Sequence, residues 1–146
     1  MFHSLLIAGQ FVLAAALVLS VKWLPIPWGT LLISMPGLIF ALWAWGAMGL
    51  RRIRIHPSTT DQTRLITAGP YGIVRHPMYT GLLWFTAALL ASDFAWWRLS
   101  VWVALLGVLL LKTREEEAAM SERFVDYTDY RSRVGRLLPT WRSSKQ

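Results

Sequence analysis

The chain has 146 residues, of which 55% are hydrophobic and 16% charged, with nine Trp and a formal charge of +7. A soluble domain carries about 25% charged residues and a chain of this length forms one modest core, so burial within protein alone cannot hide this much apolar surface. With no cysteine, disulfides, thiolate zinc sites and thiol nucleophiles are excluded, and the isolated His3, His56 and His76 have no metal-ligand spacing.

The first apolar segment covers residues 4–24, long enough for a hydrocarbon core that needs about 20 residues. It lacks a basic n-region and an A-x-A-like cleavage site and runs on past Val18, so a retained span is expected rather than a signal peptide. Pro25-Ile26-Pro27 ends it, and residues 28–50 return across the membrane as the second arm of a hairpin, stopping at Arg51-Arg52. The polar composition of 53–69 marks a loop rather than a linker to another domain. A third segment, 77–91, is roughly 21 Å long at the helical rise, short enough to tilt, thin the bilayer or reach only part of the way through. After a turn at Ser92-Asp93, residues 94–111 form the fourth. Beyond Leu111 the pattern becomes an amphipathic helix, with Met120, Phe124 and Tyr127 at helical spacing, that ends before Gly135.

The expected fold is therefore all-α: a polytopic membrane helical bundle of about four transmembrane helices plus a C-terminal cytoplasmic amphipathic helix. It forms a single membrane domain over 1–146, with an N-terminal hairpin (1–50), a core (51–141) and a tail (142–146). Thirteen of the fifteen Lys and Arg fall between 51 and 75 or between 112 and 145. By the positive-inside rule both regions, and both termini, belong in the cytoplasm, with the cell inner membrane as the expected location. Lys22 and Arg98 lie at the opposite end beside Trp23, Trp28, Trp96 and Trp97, an interfacial aromatic belt. The lipid bilayer accounts for the basic charge, so no nucleic-acid partner is expected.

Reactive side chains gather where the apolar segments meet the basic regions. In Gly69-Pro70-Tyr71-Gly72-Ile73-Val74-Arg75-His76-Pro77-Met78-Tyr79, Pro77 suits the first position of a helix. Arg75 and His76 then flank a helix N-terminus, which attracts an anion such as a carboxylate. A Pro-initiated helix with an Arg anchor is the plainer reading. Lys112-Thr113-Arg114-Glu115-Glu116-Glu117 places three carboxylates at about 100° intervals, so only one or two face the bundle interior. A carboxylate there could hold a ribose diol, an ammonium or a sulfonium, and Lys112 an anionic substrate group; a solvated face with i to i+4 pairing is the alternative. Tyr127-Thr128-Asp129-Tyr130 with Arg131, Arg133 and Arg136 could cover a ligand or dock on headgroups.

In order, these pieces resemble the isoprenylcysteine carboxyl methyltransferases and their phospholipid methyltransferase relatives, integral membrane enzymes that use S-adenosylmethionine. The signature G-x-Y-x-x-x-R-H-P-x-Y-x-G is present as Gly69, Tyr71, Arg75, His76, Pro77, Tyr79 and Gly81, followed beyond the last hairpin by an acidic pair, Y-x-x-Y, Val and a terminal Leu-Pro. The resemblance covers 63–139 and implies an S-adenosylmethionine site formed by Thr63, Arg64, Leu65, Ile66, Tyr71, Arg75, His76, Pro77, Met78 and Tyr79 with Glu116, or Glu115 in its place. It implies substrate contacts from Lys112, which falls where the family has an Arg, and from Tyr127 and Arg136. No catalytic residue is assigned and no metal is expected.

The implied reaction is methyl transfer to a hydrophobic or lipid-like acceptor (carboxylate, amine or thiol) at the cytoplasmic face. Such a transfer is an in-line displacement governed by alignment and exclusion of water. A membrane reductase related to sterol reductases is a rival enzyme, for which the chain is small. A four-helix transporter would place an ionisable residue near mid-membrane, and the first two segments have none at their centres. A lipid-binding protein without activity is the remaining alternative.

Overall fold

The computed structural model describes residues 2–25, 27–49 and 65–140. Thr63, Arg64 and the basic residues Arg51, Arg52, Arg54, Arg142 and Lys145 lie outside the described residues. Among the described residues the secondary structure is helical: α1 (Phe2–Leu19), α2 (Trp28–Met48), α3 (Pro70–Ile73), α4 (Pro77–Ser92), α5 (Trp96–Arg123) and α6 (Tyr127–Arg133). Two of them, α2 and α5, are long and apolar enough to cross a bilayer. Helices α1 and α4 are also apolar, but at about 27 and 24 Å they fall short of a hydrocarbon core of about 30 Å. Trp23, Trp28, Trp96 and Trp97 are exposed.

One boundary and one pairing differ from the sequence expectation. The fourth span and the amphipathic helix are one uninterrupted helix of 28 residues, because nothing between Val108 and Arg123 breaks a helix and Leu, Lys, Arg, Glu, Ala and Met favour it. The interruption comes instead at Phe124, which is extended, and α6 starts after Asp126. The other concerns partners: α1 packs along α5 and α2 along α4, while α1 and α2 do not pack on each other.

Small residues explain the α2–α4 pairing. A Cβ placed on Gly37 would lie 2.7 Å from the Gly81 carbonyl oxygen, and one on Gly81 would lie 2.8 Å from Ala41 Cβ, so the two backbones meet where neither position has a side chain. Pro36 removes one amide donor from the α2 ladder, and in the same turn the Ile33 carbonyl accepts a hydrogen bond from Trp84 Nε1 of α4 at 2.9 Å. Gly81→Val should therefore push α2 from α4 and cost about 1–3 kcal/mol, the usual penalty of overpacking. Gly107→Val, on an α5 face with nothing within 4 Å of the added carbon, is the control. Thermal unfolding in detergent measures both, and equal midpoints would refute the close-packing account.

On the other side Leu17 of α1, Leu83 of α4 and Leu105 and Leu109 of α5 form the buried core cluster. At the far end of the last hairpin Arg98 is buried and closes α4: Nη2 donates to the Leu89 carbonyl at 3.0 Å and Nη1 to the Asp93 carbonyl. A cation at a helix C-terminus suits both the free carbonyls and the dipole. The α4–α5 hairpin thus fixes the relative height of the signature loop and the glutamate run at its other end.

Candidate active site

The signature loop begins at Gly69, whose φ of 62° lies in the left-handed region open to glycine. Pro70 then starts the single turn of α3, Val74 is extended, and Pro77 starts α4. The chain after α6 returns to this loop. Val74 and Gly135 form a parallel bridge, Arg75 N–H donates to the Gly135 carbonyl at 2.8 Å and His76 N–H to the Arg136 carbonyl at 3.1 Å. Thr80 Oγ1 donates to the Leu137 carbonyl at 2.8 Å and Tyr130 OH to the Tyr71 carbonyl at 2.6 Å. A side chain at Gly135 would run into the Leu138 carbonyl oxygen, so glycine is required there.

The three adjacent glutamates of α5 point to three different places. Glu115 is paired with His3 of α1 at 3.3 Å and is not part of the cavity described below. Glu116 accepts a hydrogen bond from Tyr79 OH at 2.6 Å and lies 3.4 Å from His76 Nδ1. Glu117, 2% exposed, is the hub of a buried charge cluster. Arg75 donates to it through Nε at 2.9 Å and Nη2 at 2.8 Å, Arg136 through Nε at 3.0 Å and Nη2 at 2.7 Å, and His76 Nε2 is 3.2 Å away. Arg75 also donates to the Arg131 carbonyl at 3.0 Å and to the Val134 carbonyl. The carboxylates attracted to Arg75 and His76 are thus the protein's own, and the cluster ties the loop, α5 and the returning chain together.

Beside this cluster is a cavity of about 400 Å³, a size suited to a nucleoside-sized ligand. Of the sequence candidates, Leu65, Ile66, Tyr71, Arg75 and His76 line it, as do Pro77, Met78, Tyr79, Glu116 and Tyr127. Lys112 and Arg136 do not. Lys112 is buried, donates from Nζ to Gln10 Oε1 at 2.8 Å and lies 5.0 Å from the centre of the Tyr79 ring. Arg136 is committed to Glu117. The wall also includes Met48, Met120, Arg123, Phe124 and Tyr130, of which Tyr130 belongs to the stretch expected to cover a ligand, while Met120 and Phe124 were expected only as the apolar face of a helix. Tyr130 is also the second tyrosine of the Y-x-x-Y motif.

Besides Arg75 and His76, which are engaged with Glu117, and Arg123, the polar groups of the cavity lining are tyrosine hydroxyls and one carboxylate. The Tyr71 hydroxyl is buried with no hydrogen-bond partner among the described residues, and burial, aided by the Glu116 charge, raises its pKa so that it stays a donor. The Tyr130 hydroxyl is pushed up to about 12, by burial first and Tyr127 second. Glu116 supplies negative charge, and the Tyr79 ring is stacked on His76 with centres 5.7 Å apart. A carboxylate, an unsatisfied donor and several aromatic faces make a wall for a polar cation.

The phospholipid methyltransferase family model matches residues 25–126, more than two thirds of the chain, and takes in both the signature loop and the glutamate run. The chain belongs to the phospholipid methyltransferase family. No curated protein and no solved structure gives a match. Membership places the chain in a family of methyltransferases, and two helices fit to cross a membrane accord with a lipid-like substrate. Helix α1, α6 and the returning segment at Gly135 lie outside the stretch that matches the family.

Proposed function

We propose that this protein is an S-adenosylmethionine-dependent integral membrane methyltransferase that methylates a hydrophobic or lipid-like acceptor at the cytoplasmic membrane face. The observation that carries the reading is the convergence, in one cavity walled by aromatic rings, of Glu116 and a Tyr71 hydroxyl that has no partner among the described residues. These residues fit the cofactor: Glu116 supplies counter-charge or accepts from a ribose diol, Tyr71 donates, and the faces of Tyr79, Phe124 and Tyr127 favour a cation. When bound, S-adenosylmethionine supplies a methyl group on a positively charged sulfur. Leu65, Ile66, Met78 and Met120 keep the cavity apolar and exclude water.

A carboxylate acceptor would bring its own nucleophilic charge. An amine would have to lose a proton, and Glu116 is the cavity carboxylate able to take it, since Glu117 is already shared between guanidinium groups. Tyr127 is the proposed acceptor-side contact on the cavity wall, with the acceptor arriving from the bilayer. Arg75, Arg123, Arg131, Arg133 and Arg136 at this end support a cytoplasmic placement.

Calorimetric titration of the purified protein in detergent should show saturable binding of S-adenosylmethionine and S-adenosylhomocysteine, and none of NADPH. Incubation with radiolabelled S-adenosylmethionine and membrane lipid extract should then transfer label to a lipid-soluble product. Absence of binding by both adenosyl ligands would overturn the proposal.

A further inference from the structure

Helix α1 lies outside the stretch shared with the family, yet Gln10 reaches toward the cavity through a series of contacts. Its amide oxygen accepts from Lys112 Nζ at 2.8 Å, the Lys112 ammonium lies 5.0 Å from the Tyr79 ring centre, and Tyr79 OH donates to Glu116 at 2.6 Å. Lys112 precedes Glu116 by four residues on α5, a spacing at which lysine and glutamate ordinarily reach each other, though less favourably in this order than in the reverse. Among the described residues Lys112 nonetheless makes no ion pair, although it is buried to 6% exposure. A buried ammonium beside a carboxylate one turn away would be expected to take it as partner. The ammonium meets instead the amide of Gln10, an uncharged polar group within the otherwise apolar stretch 5–19 of α1, where such a side chain is costly unless it is used.

We propose that Gln10 is a positioning residue which holds the Lys112 ammonium on the Tyr79 side, so that the Glu116 carboxylate keeps its charge open to a cationic ligand in the cavity. The identity of that ligand rests on the function proposed above. Without Gln10, Lys112 turns to Glu116 and competes with the ligand for it. The effect of Gln10 therefore runs through Lys112, and removing the lysine as well should cancel it.

The test is calorimetric titration of the full chain in detergent with S-adenosylmethionine and S-adenosylhomocysteine, for the wild type, Gln10→Leu, Lys112→Leu and the double variant. Gln10→Leu should bind about tenfold more weakly, the size of one lost charge contact. The double variant should recover to within about twofold of Lys112→Leu alone, since the coupling is then gone. Gln10→Glu, which also holds the ammonium, should bind like the wild type and serves if Gln10→Leu does not fold. Unchanged affinity in Gln10→Leu, a double variant as weak as Gln10→Leu, or weak binding by a folded Gln10→Glu would each overturn the positioning role while leaving the proposed function intact. A wild-type protein that binds neither ligand would overturn the proposed function and this role with it.

Discussion

Replacing Glu117 with glutamine should lower the stability of the folded protein by about 3–5 kcal/mol, the cost of leaving buried cations without their counter-charge. The Glu117 side chain is 3% exposed and that of Arg75 8%, so water cannot take over when the carboxylate is lost. Arg136 and His76 lose the same partner, and with them the contacts that hold the returning chain at Gly135 against the signature loop. Thermal unfolding in detergent reads the effect directly. Asp129→Asn provides the contrast: it breaks an ion pair with Arg133 that is as short, 2.6 Å, but 68% exposed on both sides, and such surface pairs contribute at most about 1 kcal/mol. If the two variants unfold at the same temperature, the buried cluster is not what holds this end together.

Glu116→Gln is expected to leave stability nearly unchanged and to weaken binding of S-adenosylmethionine by about 10- to 100-fold, as for a lost charge-assisted contact. Glutamine keeps the shape and an oxygen for the Tyr79 hydroxyl, so the wall remains built while its charge disappears. Glu115→Gln, which faces His3 rather than the cavity, should bind like the wild type. Calorimetry on the three proteins decides the matter: equal affinity in Glu116→Gln and wild type would remove the carboxylate from the proposed site. The neighbouring positions 116 and 117 thus separate by assay, one reporting on binding and the other on folding.

The helical class and the positions of the apolar segments could be read from the sequence because runs of Leu, Ala, Val and Trp of that length have few other homes. Which helices would touch could not. When lipid and protein neighbours are equally apolar, a helix carries little asymmetry to say which face is which, and the decisive features are the absent side chains at Gly37 and Gly81. The meeting of Arg75-His76 with the glutamate run was legible as a motif in two parts. The division of labour among Glu115, Glu116 and Glu117 was not, since three neighbours at about 100° intervals look alike until their surroundings are known. Glu117, the most heavily bonded residue of the site, was passed over for that reason. The commitment of Arg136 to Glu117 and of Lys112 to Gln10 likewise depends on contacts across 19 and 102 residues of chain, which no local pattern records.

The parallel bridge between Val74 and Gly135 has a consequence for biosynthesis. Helices α4 and α5 can form as soon as they leave the ribosome, but the signature loop has no partner for its Arg75 and His76 amides until residues 135 and 136 have been made. Assembly of the cavity therefore waits until the chain has been made through residue 136, and until then Arg75 and Glu117 must be shielded by water or by each other.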